Sequence, residues 1–317
     1  MTVAETRGLL FPGQGSQFVG MGRELAARSS PARETYREAD DLLGFSLSKL
    51  SWEGPEEELL RTKNAQPAIL AHSVAVVRAL GHGIGPVSCA GGHSLGEFSA
   101  HVAAGTLAFS DALAAVRLRG ELMFRAGEVR PGTMAAVLGL ADDEIQRLCA
   151  VASDGNGVCV PANYNSAGQV VVSGDVPAVE HFSRFAHEAG AKRVIPLNVS
   201  GAFHSPLMKP AEDGLRAFLE GVPFKDPSYP VISNVTAEPV GRGDEARSLL
   251  VRQLTSPVCW AESVRTMTRL GARDFLELGP GKVLCGLNRR NAKGAGFRCR
   301  AIGEPTELED FLGTSAG

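Results

Sequence analysis

Val87-Ser88-Cys89-Ala90-Gly91-Gly92-His93-Ser94-Leu95-Gly96-Glu97 reads as a short buried strand, a sharp turn and the start of a helix. Val87-Ser88-Cys89-Ala90 is the apolar strand, residues 97–104 the helix, and Gly92-His93-Ser94-Leu95-Gly96 the turn between them. Glycines two residues before and after the serine let the backbone pack without a β-carbon and take the unusual dihedrals of a nucleophile elbow. Ser94 then stands at a helix N-terminus, where free N–H groups and the helix dipole stabilise a developing oxyanion. Gly-x-Ser-x-Gly also arises by chance in loops, so its weight comes from the strand before it and the helix after it.

On both sides of this turn, short β-branched runs alternate with longer helical stretches, which predicts an α/β chain with a mainly parallel sheet covered by helices. Gly8-Leu9-Leu10-Phe11 is the first strand, followed by the loop Pro12-Gly13-Gln14-Gly15-Ser16-Gln17 and a helix from near Met21. Apolar residues recur at helical spacing over 65–80 and over 111–127, the second punctuated by Arg117, Arg119 and Arg125. Between 129 and 197 the order is strand, helix, strand, strand, helix, strand: residues 134–138, 141–151, 158–160, 169–173, 176–190 and 193–195. This is the split βαβ pattern of a ferredoxin-like unit. The expected division is therefore a large α/β domain over 1–128 and 198–317, with a small ferredoxin-like subdomain inserted at 129–197. Val231-Ile232-Ser233 and Asp274-Phe275-Leu276-Glu277 are the strand candidates that return to the large sheet.

A chain of 317 residues, 44% hydrophobic and 21% charged, can bury a sizeable core. Its net charge of -3 gives no global attraction to nucleic acid or to an anionic membrane. Residues 1–8 carry no apolar leader and no apolar run reaches the ~18 residues that span a bilayer, so a cytoplasmic protein is expected. Cys89, Cys149, Cys159, Cys259, Cys285 and Cys299 are scattered without zinc spacing, and are expected to be reduced and structural, with no metal site.

A serine hydroxyl needs a base within hydrogen-bond reach, nearly always histidine. Of the seven histidines, His72 and His101 fall within helices, His82 in a glycine-rich loop, His181 and His187 on a helix of the inserted unit, and His93 on the wrong side of the turn. His204 differs. It lies in the non-periodic stretch Ser200-Gly201-Ala202-Phe203-His204-Ser205-Pro206, where the chain returns from the inserted unit to the large domain. Other features stay ambiguous on their own. Gly13 and Gly15 could cradle a phosphate, but Gly-x-Gly without the rest of a nucleotide fingerprint is weak. Arg119, like Arg117, reads as a solvated helix charge.

Seven ordered stretches together resemble the malonyl-CoA:acyl-carrier-protein transacylase family, shared with the acyltransferase domains of polyketide synthases. They are Phe11-Pro12-Gly13-Gln14-Gly15-Ser16-Gln17, Gly92-His93-Ser94-Leu95-Gly96-Glu97, Arg119-Gly120, Ala162-Asn163-Tyr164-Asn165-Ser166, Gly201-Ala202-Phe203-His204, Arg252-Gln253-Leu254 and Gly279-Pro280-Gly281. The resemblance covers nearly the whole chain. It implies an α/β-hydrolase-like large domain with an inserted ferredoxin-like subdomain, and a Ser-His dyad in place of a triad. Ser94 would attack an acyl-CoA thioester and His204 would take its proton, oriented by a backbone carbonyl of Gln253. Asp175 and Asp213 are then left as solvated surface groups. By the same resemblance Gln14 and the Leu95 N–H form the oxyanion hole, Arg119 holds the malonyl carboxylate through its two-donor fork, and Asn163 contacts substrate. Phe203 favours plain malonyl, where a serine would accompany methylmalonyl. Gly201 departs from the histidine of polyketide malonyl enzymes, and the room it leaves keeps substituted malonyl units open.

The implied substrates are malonyl-CoA and a phosphopantetheinylated, acidic acyl carrier protein, with no cofactor and a monomeric enzyme. Lys192 with Arg193 and Arg289 with Arg290 are the basic pairs that could receive the carrier; each could equally be a solvated charged face. The rival readings are a serine hydrolase or thioesterase using water as acceptor, an inactive docking module, and a transferase for a non-malonyl acyl group. Arg119 and the want of a persuasive acid between Ser94 and His204 argue against the first. Retention of Ser94, His204, Gln14 and Arg119 together argues against the second, and Arg119 against the third.

Overall fold

Leu9, Leu10 and Phe11 are buried on both faces of their strand, as expected of a central parallel strand covered by helices on each side. This strand, β1 (Arg7–Phe11), lies at the middle of the larger of two sheets in a computed structural model that describes residues 6–315 apart from 156 and 293–295. Residues 1–5, part of the stretch read above for a leader, lie outside the described residues. The other strands are β2 (Val87–Gly92), β3 (Gly132–Leu138), β4 (Cys159–Ser166), β5 (Gln169–Asp175), β6 (Arg193–Pro196), β7 (Val231–Ile232), β8 (Pro239–Val240), β9 (Asp274–Leu278) and β10 (Arg298–Ile302). The large sheet runs β10-β9-β1-β2-β7-β8, parallel except for β8. Phe11 and Gly92 are register partners, so the loops that follow β1 and β2 leave the sheet side by side.

The helices that bear on the site are α1 (Thr62–Leu80), α2 (Gly96–Ala103), α3 (Phe109–Val129), α4 (Asp142–Ser153), α5 (Val176–Glu188) and α6 (Val283–Asn291). One stretch contradicts the expectation that no segment suits a bilayer. Thr62–Ile84 spans 23 residues at mean hydropathy 1.2, long and apolar enough to cross one. Asn64, Gln66 and His72 interrupt its apolar run in the sequence; all three are buried, because α1 is packed nearly all round as a core helix.

The four-stranded sheet β4-β5-β3-β6 is antiparallel throughout, with α4 and α5 packed on it, which is the ferredoxin-like arrangement. It is joined to the large domain by backbone: Tyr164 N–H donates to Val258 O at 2.9 Å and Val258 N–H to Ala162 O at 2.8 Å. Asp175, expected to be a solvated surface group, instead accepts both arms of Arg130 at 2.8 and 2.7 Å and the N–H of Val158 at 2.7 Å. Asp213 is exposed, beside Lys209.

The cysteines also depart from expectation. Cys285 on α6 and Cys299 on β10 are joined in a disulfide with Cα atoms 5.5 Å apart, because the helix folds back over the edge strand that follows it. Cys89, Cys149, Cys159 and Cys259 are free. Closing a loop of 14 residues restricts the unfolded chain by about 3 kcal/mol. Cys299→Ser, or a reductant, is therefore expected to lower the thermal midpoint by several degrees in a melting experiment; an unchanged midpoint would show that the bridge contributes nothing.

Candidate active site

Two residues of the described chain combine a side chain suited to nucleophilic chemistry with a backbone in the left-handed region: Ser94 at φ 51° and His204 at φ 56°. Such conformations cost ~1–3 kcal/mol each and persist only where the surroundings impose them. At the elbow the imposition is steric. A β-carbon on Gly92 would lie 1.9 Å from the Gly96 carbonyl group, and one on Gly96 would lie 2.0 Å from Phe11 O. Asn234 completes it: its Oδ1 accepts the Ser94 N–H at 2.7 Å and its Nδ2 donates to Gly92 O at 2.7 Å.

His204 Nε2 lies 2.8 Å from Ser94 Oγ. Its Nδ1 faces two backbone carbonyls, Gln253 O at 2.9 Å and Ser256 O at 3.2 Å. A nitrogen between two acceptors must carry the hydrogen, which leaves the Nε2 lone pair for the Ser94 hydroxyl. Burial, helped by the Arg119 charge and by His93, drives the imidazole pKa down to about 3, against the pull of the two carbonyls. The base is thus neutral and ready across the physiological range. An ordinary histidine of pKa about 6.5 would be roughly thirtyfold depleted in its neutral form at pH 5. Here the acylation burst with p-nitrophenyl acetate is expected to change less than twofold between pH 8 and pH 5, and a fall centred near pH 6.5 would contradict the buried, neutral base.

Arg119 is not the solvated helix charge that the bare sequence suggests. It is 1% exposed on α3. Its Nη1 donates to Gln66 Oε1 at 2.8 Å, and its Nη2 to Gln253 Oε1 at 2.9 Å and Ser94 Oγ at 3.1 Å. Burial lowers its pKa to about 10, with Glu97 opposing, so it remains a cation. Gly120 is required beside it, since a β-carbon there would sit 2.7 Å from Lys63 Cα on α1.

Gln14 donates from Nε2 to Thr62 Oγ1 at 3.2 Å, and Thr62 in turn meets Ser200 at 3.3 Å. Its loop lies against the elbow: a β-carbon on Gly13 would be 2.3 Å from His93 O. Leu95, buried, is the residue that leads into α2. Phe203 is 6% exposed and packs into the core. A β-carbon on Gly201 would reach Phe203, Gly127 and Met208 at 3.4 to 3.6 Å, so the room expected beside Gly201 is bordered on three sides.

Asn163 is buried on β4, paired in register with Val258. The asparagine of this motif that meets the elbow is Asn165, whose Oδ1 is 2.8 Å from His93 Nε2. Lys192 and Arg193 lie at the Leu138 end of β3, whereas Gly132 at its other end packs on Ala202. Six steps of strand at ~3.3 Å place that basic pair about 20 Å from the loop of His204, although it is near in sequence. On α6, Arg289 is exposed and Arg290 donates to Gln169 Oε1 at 2.9 Å, reaching the small sheet. Gln66, Asn234, Glu97 and Ser256 belong to the site by contact and are not singled out by the sequence; a Gln or Asn in an apolar helix or strand end is the available signal.

The acyl transferase domain family matches residues 9–308. A malonyl CoA-acyl carrier protein transacylase of Bacillus subtilis is 45% identical over 305 residues, covering 95% of this chain and 94% of the relative. An acyl carrier protein S-malonyltransferase structure from Vibrio cholerae superposes with TM-score 0.92 at 42% identity, covering 96% of this chain and 99% of that one. A type II polyketide synthase acyl-carrier protein solved with its malonyl-transacylase gives TM-score 0.92 at 41% identity, covering 98% and 99%. With the α/β fold, the elbow and the full-length match in agreement, the chain belongs to the malonyl-CoA:acyl-carrier-protein transacylase family of acyl transferases.

Proposed function

We propose that the protein moves a malonyl group from malonyl-CoA to the phosphopantetheine thiol of an acyl carrier protein through a malonyl ester on Ser94. The observation that carries this reading is the buried Arg119 guanidinium 3.1 Å from Ser94 Oγ. A cation held beside the nucleophile suits an acyl group that ends in a carboxylate. The names of the relatives point the same way.

In this reading Ser94 Oγ attacks the thioester carbonyl while His204 Nε2 takes its proton, and the CoA thiol leaves with that proton. The carrier thiol then gives its proton to His204 and attacks the ester, and Ser94 Oγ recovers the proton as it departs. The tetrahedral oxyanion forms at the N-terminus of α2, facing the Leu95 N–H with Gln14 alongside; a donor of this kind contributes ~3 kcal/mol. Phe203, filling its place in the core, suits plain malonyl. Asn163 is assigned to the substrate-side wall, with Asn165 holding His93 of the elbow. The acidic carrier is assigned to exposed basic residues, Arg289 and Arg290 first and Lys192 and Arg193 as an outer pair, which act on association rate more than on final affinity. No step calls for a cofactor. Both substrates are water-soluble, which suits a cytoplasmic setting in fatty acid or polyketide synthesis.

Initial rates with both substrates varied test the covalent route. Parallel double-reciprocal lines are expected; lines that converge would mean direct transfer in a ternary complex and would overturn it.

A further inference from the structure

Glu97 is fully buried on α2, three residues after the nucleophile, in a helix whose other buried positions are mostly apolar or small. A carboxylate there costs folding energy, the more so because its Oε1 has no hydrogen-bond partner. Packing alone does not account for it. Its other oxygen, Oε2, accepts from Gln253 Nε2 at 2.6 Å and from the Asn234 N–H at 3.2 Å. Both partners belong to the site: Asn234 holds the Ser94 backbone, and Gln253 holds His204 and Arg119.

The amide of Gln253 has two possible faces, and its neighbours select one. Nε2 lies between two acceptors, Glu97 Oε2 and Ser94 O at 3.0 Å, so Oε1 must point to Arg119 Nη2. The opposite face would set an NH2 group against a guanidinium, donor against donor. Arg119 is then pinned on one arm by Gln253 and on the other by Gln66, with its fork at Ser94 Oγ. Among the described residues no carboxylate pairs with Arg119 directly, and Glu97 is the acid that bears on its charge; burial raises Glu97 to about 7, against the hydrogen bonds from Gln253 and Asn234 and the Arg119 charge.

We propose that Glu97 is a positioning residue for the malonyl carboxylate: acting through the Gln253 amide, it fixes the Arg119 fork where the acyl group on Ser94 must end. The inference rests on the transacylase reading. Its signature is selectivity, since a slack Arg119 penalises acyl groups that carry a carboxylate and spares those that do not. Gln at 97 keeps an oxygen acceptor for Gln253 and Asn234; Met keeps the volume and removes it.

The test compares wild type, Glu97→Gln and Glu97→Met, measuring KM and kcat for malonyl-CoA and the acylation burst with p-nitrophenyl acetate. In Glu97→Met, KM for malonyl-CoA is expected to rise about tenfold relative to the burst rate, with kcat changed far less; Glu97→Gln is expected to recover most of the loss. Equal loss with both donors, or no change in malonyl KM, would overturn the proposal. So would a Gln variant as impaired as Met. Should the Met variant not fold, Glu97→Asp, which retracts the carboxylate by one methylene, is expected to show the same selective rise. Failure of wild type itself to take malonyl would instead count against the transacylase reading.

Discussion

Ser94→Ala is expected to lower malonyl transfer by at least about 10⁴-fold while the protein stays folded, the scale of loss when a serine nucleophile is removed from a working dyad. The geometry explains both halves. His204 Nε2 has Ser94 Oγ as its partner at 2.8 Å, and no other proton donor among the described residues meets it. The elbow conformation is enforced by Gly92, Gly96 and Asn234 and not by the hydroxyl, so alanine inherits the same backbone. Steady-state rates with a carrier protein and a thermal melt check the two parts together. A variant that retained more than a few per cent of the rate would mean that the acyl group never rests on Ser94.

Arg119→Leu is expected to reduce kcat/KM for malonyl-CoA by roughly 10²- to 10³-fold, corresponding to about 3–4 kcal/mol for withdrawing the partner of a buried charge. The loss should be confined to carboxylate-bearing donors. Arg119 donates to Ser94 Oγ, but the Ser94–His204 hydrogen bond itself does not need the guanidinium, because His204 is oriented by Gln253 O and Ser256 O. Removing Arg119 also removes a cation that depresses the His204 pKa, so acylation by p-nitrophenyl acetate should be kept or modestly improved. Lysine is not an equivalent substitute: it would bring a point charge where Gln66, Gln253 and Ser94 are met by a planar fork. Equal losses for malonyl-CoA and p-nitrophenyl acetate would show that Arg119 serves the dyad or the fold and not the carboxylate.

What the sequence makes legible follows from how local each signal is. The elbow is contained in eleven consecutive residues, and the ferredoxin-like unit is one uninterrupted segment, so both can be read from spacing and periodicity. His204 is distant from Ser94 in sequence, yet its loop stands at a chain crossing that the periodicity exposes. Arg119 is opaque by the same measure. Its helix carries Arg117 and Arg125 as well, and only the tertiary packing of α3 against α1 separates a buried guanidinium from a surface one.

Contacts between residues far apart in the chain are beyond such reading. Asn234 lies 140 residues from Ser94, and Glu97 lies 156 residues from Gln253. Edge strands are weak signals for a different reason. The β10 strand, Arg298-Cys299-Arg300-Ala301-Ile302, mixes charged with small or apolar residues because it closes the sheet and is only partly covered, and the Cys285–Cys299 bridge depends on that unread strand. The polar half of β4, Asn163 to Asn165, is held as a strand by its pairing with β5 on one side and with Val258 across the domain junction on the other, contacts that its own side chains do not announce.

The most direct measurement is intact mass of wild type and Ser94→Ala after brief incubation with malonyl-CoA, methylmalonyl-CoA or acetyl-CoA, followed by addition of a phosphopantetheinylated carrier protein. A malonyl adduct is expected on wild type, strongest with malonyl-CoA and missing from the alanine variant, that disappears as the carrier gains the same mass. An adduct lost only to water with the carrier unmodified, or no adduct at all, would contradict it.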